Sequence, residues 1–66
     1  MQITLNGERA IVRDGATVAE LLADRGLAPV RVAVEINEEL VPRKTFPEAR
    51  IREGDTLEIV TLVGGG

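Results

Sequence analysis

The chain predicts an α+β roll, a mixed sheet of four to five strands with one main helix packed on one face. Three observations carry that expectation. An Asn6-Gly7 step separates two alternating runs, a capping box at Thr17 opens a single short helix, and further alternating runs follow it. At 66 residues this is one domain. A domain of that size buries only roughly 60% of its unfolded surface, so the core must be thin.

Residues 2–6, Gln-Ile-Thr-Leu-Asn, alternate polar and apolar as a half-buried strand does. Asn6-Gly7 then suits a type I′ turn, which needs positive φ at both central positions. Residues 8–13 return as the second strand. A two-residue loop sets Leu5 opposite Glu8, Ile3 opposite Ala10 and Met1 opposite Val12. One face then holds Met1, Ile3, Leu5, Ala10 and Val12 for the core. The other holds Gln2, Thr4, Arg9, Ile11 and Arg13.

Asp14-Gly15 breaks the strand, and Thr17-Val18-Ala19-Glu20 reads as a capping box. Val18, Leu21 and Leu22 share one helical face, Gly26 is placed to end the helix in the left-handed region, and Pro29 prevents its resumption. A helix of two to three turns is marginal alone and must dock on the sheet. Residues 31–36 alternate again, with Val32, Val34 and Ile36 inward. Asn37-Glu38 turns the chain into a short strand at Leu40-Val41, stopped by Pro42. Residues 43–50 form an irregular or single-turn link with Phe46 as its plug. Glu53-Gly54-Asp55 is a further turn, and residues 56–63 form the last and longest strand. This order is the β-grasp arrangement, with the first and last strands expected side by side and parallel at the sheet centre.

Composition removes several functions. Cysteine, histidine, serine, tyrosine and tryptophan are absent, and the hydroxyl side chains are Thr4, Thr17, Thr45, Thr56 and Thr61. The usual nucleophile-plus-base pairs for covalent catalysis cannot be assembled, and no thiolate metal site exists. The chain is therefore expected not to be an enzyme, and no cofactor or metal is expected. Glu38-Glu39 and Glu53/Asp55 are read as solvated surface. The net charge of −3 and the single aromatic residue, Phe46, argue against nucleic acid as a partner. Apolar runs of about four or five residues fall far below the roughly 20 that span a bilayer, so no membrane is expected. No basic-then-apolar leader is seen, and the cytoplasm is the expected location.

The feature that carries chemistry is the ending Gly64-Gly65-Gly66. Residues 1–63 are expected to form the domain and 64–66 a flexible tail without side chains. Such a tail suits a chain end threaded through a narrow channel into another protein's active site. There the Gly66 carboxylate can attack ATP, and the resulting acyl-adenylate is opened by a sulfur or amine nucleophile. A frayed end or a cloning remnant is the plainer alternative. In the last strand Leu57 and Ile59 alternate inward, which turns Val60 and Leu62 to the open face with Ile11. With Ala33 between them they are expected to form an exposed apolar patch leading to the tail, a partner interface of Ile11, Val60, Leu62 and Val63.

Several segments, taken in order, resemble one family. They are the opening Met-Gln-Ile-Thr-Leu-Asn-Gly, Thr17-Val-Ala-Glu-Leu-Leu22, Val32-Ala-Val-Glu-Ile-Asn37, Val41-Pro-Arg43, Gly54-Asp55 and Val63-Gly-Gly-Gly66. The set is similar to the ThiS family, ubiquitin-like sulfur carriers of thiamine biosynthesis, across essentially the whole chain. The chain departs in ending on three glycines instead of two and in having Phe46 where some relatives carry a bulkier aromatic. The resemblance implies that an ATP-dependent activating enzyme adenylates the Gly66 carboxylate. Sulfur, drawn from cysteine through a cysteine desulfurase persulfide, then displaces AMP to leave a thiocarboxylate. That group delivers sulfur to thiazole synthase for the thiazole moiety of thiamine. Gly64 and Gly65 would enter both partner sites. Asn37 and Val41-Pro42-Arg43 match the family pattern without a chemical role that physics assigns. Three alternatives stand beside this one: a molybdopterin-synthase small-subunit type of carrier, a ubiquitin-like protein modifier, and a plain interaction module with an inert tail.

Overall fold

A computed structural model of the chain describes residues 1–62. Its strands are β1 (Gln2–Leu5), β2 (Glu8–Ile11), β3 (Val32–Ile36), β4 (Glu39–Leu40) and β5 (Thr56–Thr61), with one helix, α1 (Val18–Asp24). They form a five-stranded sheet in the order β2-β1-β5-β3-β4. β1 and β5 run parallel at its centre, and every other neighbouring pair is antiparallel. This is the β-grasp roll that the element order predicts.

The hairpin forms as its turn chemistry dictates. Asn6 and Gly7 have φ of 50° and 83°, and Leu5–Glu8 and Ile3–Ala10 pair in the expected register. Met1 and Val12 exchange main-chain hydrogen bonds of 2.6 and 2.9 Å just past the strand ends. The second two-residue turn, Asn37-Glu38, also has both φ positive, at 52° and 71°, although neither residue is glycine.

Every donor of the first turn of α1 is answered. Thr17 N–H donates to Glu20 Oε1 at 2.8 Å, and Glu20 N–H donates to Thr17 Oγ1 at 3.2 Å, closing the capping box. Val18 and Ala19 N–H donate to the carbonyls of Ala49 and Phe46, at 2.8 and 3.0 Å, so the link after β4 binds the helix start. At the other end Gly26 has φ of 70°, with Gly26 N–H on the Ala23 carbonyl and Leu27 N–H on the Leu22 carbonyl. That is a Schellman closure, and Leu27 packs on the core.

The core between α1 and the sheet comprises Ile3, Val18, Leu21, Leu22, Val32, Val34, Phe46, Ile51 and Leu57, each no more than 2% exposed. Phe46 is the plug that its position suggests. Ile51 and Ala16 are buried as well, joined by a 2.9 Å bond from Ile51 N–H to the Ala16 carbonyl, while Thr17 bridges to Arg50. These contacts come from segments without periodicity. Boundaries shift by a residue or two: a 3₁₀ turn at Pro29–Arg31 delays β3 to Val32, and the two-residue turn starts β4 at Glu39.

Candidate functional site

The site region is the end of β5 nearest residue 62, on the sheet face opposite α1. Along β5, Leu57 is buried and Ile59 half-buried, whereas Val60 is 59% exposed and Leu62 43%. The alternation expected for this strand is therefore the one observed. Ala33 stands directly opposite Val60. Leu40, 67% exposed, pairs with Glu35 on the same face, one place from Ala33. Beside it lies a shallow cleft of about 230 Å³ lined by Val32, Ala33, Leu40, Val41, Pro42 and Arg43, with Phe46 at its floor.

Val60, Leu62 and Ala33 are thus brought together, and Ile11 is not. Ile11 is 75% exposed on the same face but pairs with Gln2, whose carbonyl accepts Gly54 N–H. Val60 lies six residues beyond Gly54 on the neighbouring strand. At about 3.3 Å per residue the two side chains sit roughly 20 Å apart along the sheet. Alternation identifies a face but not a position along it, which is why Ile11 was grouped with Val60. Leu40 takes its place in the patch. Its register follows from the two-residue turn at Asn37-Glu38, counted back from Ile36 opposite Glu39.

Arg43 and Asn37, which had no role from sequence, hold the frame of this corner. The Arg43 Nε–H donates to the Pro29 carbonyl at 2.9 Å and its Nη2 to the Val32 carbonyl at 3.4 Å, anchoring the start of β3. Val41 N–H donates to the Val34 carbonyl at 2.8 Å, prolonging the β3–β4 pairing. Pro42 ends it, having no N–H. Asn37 Nδ2 donates to Asp55 Oδ1 at 3.1 Å and its Oδ1 accepts Thr56 N–H at 3.0 Å, fixing the entry into β5.

The electrostatics of the face are simple. Glu35 and Glu58 stand directly opposite one another across β3 and β5, next to the Ala33–Val60 pair. Among the described residues no group of histidine, cysteine, aspartate and glutamate could hold a metal ion, and no helix is long and apolar enough to cross a membrane. Val63, Gly64, Gly65 and Gly66, which include the expected reactive residue, lie outside the described residues.

Fold and site together define a ubiquitin-like β-grasp domain whose last, central strand ends at an exposed apolar corner. The ThiS family model matches residues 2–66. The sulfur carrier protein ThiS of Thermus thermophilus is 38% identical over 64 residues, covering 97% of this chain and 98% of that one. A crystal structure of the thiamine biosynthesis protein ThiS from Geobacter metallireducens superposes with a TM-score of 0.86 at 33% identity, covering all of both chains. A thiazole synthase from Paramagnetospirillum magneticum is 39% identical over all 66 residues, which are 20% of its length. The chain thus spans about a fifth of the thiazole synthases it matches. The chain belongs to the ThiS family.

Proposed function

We propose that the chain is a sulfur carrier for thiazole formation in thiamine biosynthesis, a protein cosubstrate that partner enzymes act on. Residues 1–63 are the domain that partners hold, and 64–66 are the tail that enters their active sites. An oxygen of the Gly66 carboxylate attacks the α-phosphorus of ATP on an activating enzyme, and pyrophosphate leaves. A sulfur nucleophile then adds to the acyl carbon and AMP leaves, ending in a thiocarboxylate on Gly66. The sulfur comes from cysteine through a desulfurase persulfide. The thiocarboxylate passes it to thiazole synthase and is returned as a carboxylate. The cytoplasm is the proposed compartment.

The observation that carries this reading is the family match, which runs through the glycine tail to residue 66. Two features support it. The chain has no cysteine, histidine or serine to do chemistry of its own, and the acyl group needs none. Val60, Leu62 and Leu40 give a partner an apolar purchase where β5 ends. Thiazole synthases that hold a matching segment in a fifth of their length support thiazole synthase as the sulfur acceptor.

ATP–pyrophosphate exchange by the host's activating enzyme tests the reading. The full chain is expected to support exchange, and a chain lacking Gly65 and Gly66 is expected to support none while keeping its melting temperature. Exchange that persists without the last two glycines overturns it.

A further inference from the structure

Main-chain hydrogen bonds divide β5 into two flanks. The Thr56 carbonyl accepts Asn37 N–H at 2.7 Å, and Leu62 N–H donates to the Arg31 carbonyl at 2.7 Å, so even-numbered residues turn their main-chain groups toward β3. Odd-numbered residues turn theirs toward β1, where Asn6 N–H donates to the Leu57 carbonyl at 2.9 Å. β1 ends at Leu5, however, and the chain turns away at Asn6-Gly7. The last group on that flank is the Asn6 side chain. Its Oδ1 accepts Ile59 N–H at 2.8 Å and its Nδ2 donates to the Ile59 carbonyl at 3.1 Å.

The Asn6 carboxamide therefore pairs with Ile59 as one residue of a neighbouring strand would. The next odd-numbered residue is Thr61, about 6.6 Å further along. Its N–H and carbonyl point past Asn6, and among the described residues no strand or side chain reaches them. An open main-chain edge of this kind templates pairing with another extended chain. It lies between exposed Val60 and Leu62, at the residue from which the tail departs.

Resting on the carrier reading, we propose that thiazole synthase adds an extended segment to β5 at Thr61. The segment takes the place beyond Asn6 and pairs with the main chain of Thr61. The tail is then held as part of a two-chain sheet where it leaves the domain. This recognition reads the main chain, so the side chain at 61 contributes little.

Proline substitution separates the two flanks. Thr61→Pro removes the outward N–H and leaves every bond to β3 in place, the one strand setting where proline is tolerated. Thr61→Val keeps the N–H and loses only the hydroxyl. Calorimetric titration with the host's thiazole synthase is expected to show about five- to tenfold weaker binding for Thr61→Pro. Thr61→Val is expected to match the unaltered chain. Equal binding by all three overturns the strand pairing and leaves the carrier reading intact. No binding by the unaltered chain overturns both, and the absence of pyrophosphate exchange then identifies the carrier reading as the failure. If Thr61→Pro does not fold, a chain made by ligation with an ester in place of the Val60–Thr61 amide removes the same donor. Amide exchange supplies an independent readout: the Thr61 amide is expected to exchange fast in the free chain and slowly in the complex. A Thr61 amide already protected in the free chain, or still fast in the complex, overturns the proposal. So does dimerisation of the free chain that thiazole synthase fails to displace, since a second copy would then own the edge.

Discussion

Asn6 and Asn37 hold β5 from opposite flanks. Each is the first central residue of a two-residue hairpin turn, with φ of 50° and 52°, and each turns its carboxamide onto the central strand. Asn6 binds both main-chain groups of Ile59, and Asn37 accepts from Thr56 while donating to Asp55. Asparagine is the residue that tolerates the left-handed region and still has a short amide to offer. The two hairpins are thereby fastened to the strand that leads to the tail.

Replacing either asparagine is expected to loosen that strand. Asn6→Ala and Asn37→Ala each remove two side-chain hydrogen bonds and place alanine at positive φ, a loss of about 1–2 kcal/mol apiece. Asn→Gly at the same positions keeps the turn and loses only the bonds, so it is expected to cost less. Urea unfolding monitored by circular dichroism checks the order.

Glu38 is the opposite case. It occupies φ of 71° without glycine's freedom or asparagine's short side chain, and its hydrogen bonds do not explain the choice. Glu38→Gly is expected to raise stability by about 0.5–1 kcal/mol. A lower melting temperature in that variant would show that Glu38 makes a compensating interaction.

Glu35 and Glu58 face each other across β3 and β5 on the open face. Like charges directly opposite are destabilising, so Glu58→Gln is expected to stabilise the chain by about 0.2–1 kcal/mol. The gain is expected to shrink at molar salt, where exposed charges are screened. Melting curves at low and high salt give the comparison.

The thin core leaves little reserve. Leu22 is fully buried between α1 and the sheet, and Leu22→Ala is expected to lose about 3 kcal/mol or more. A domain of this size has only about 3–10 kcal/mol in total. The variant is expected to be largely unfolded near body temperature, with the loss of amide shift dispersion as the sign.

At the exposed corner the expectation reverses. Val60→Asp and Leu62→Asp place a charge where the native side chains already meet water, so the fold is expected to survive. Binding to the activating enzyme is expected to weaken in both. Unfolding by either change would mean that these residues support the core.

Local chemistry made much of this fold readable. The Asn6-Gly7 turn set the hairpin register, Thr17 and Glu20 marked the helix start, Gly26 marked its end, and strict alternation assigned Leu57 and Val60 to opposite faces. What stayed hidden depends on contacts between distant segments. Ile51 is buried by pairing with Ala16, and the role of Arg43 rests on carbonyls more than ten residues earlier. The apolar corner was legible as a face, but its membership was not. Position along the sheet comes from the β1–β5 register, which separates Ile11 from Val60 and brings in Leu40.

The central claim is that Gly66 is the group that is charged with sulfur. Intact mass spectrometry after incubation with host lysate, ATP and cysteine tests it most directly. The account predicts a gain equal to exchanging one oxygen for sulfur, absent without ATP and absent from a chain lacking Gly66. An unchanged mass in an active lysate would contradict it, as would attachment of the intact chain to larger proteins in place of that gain.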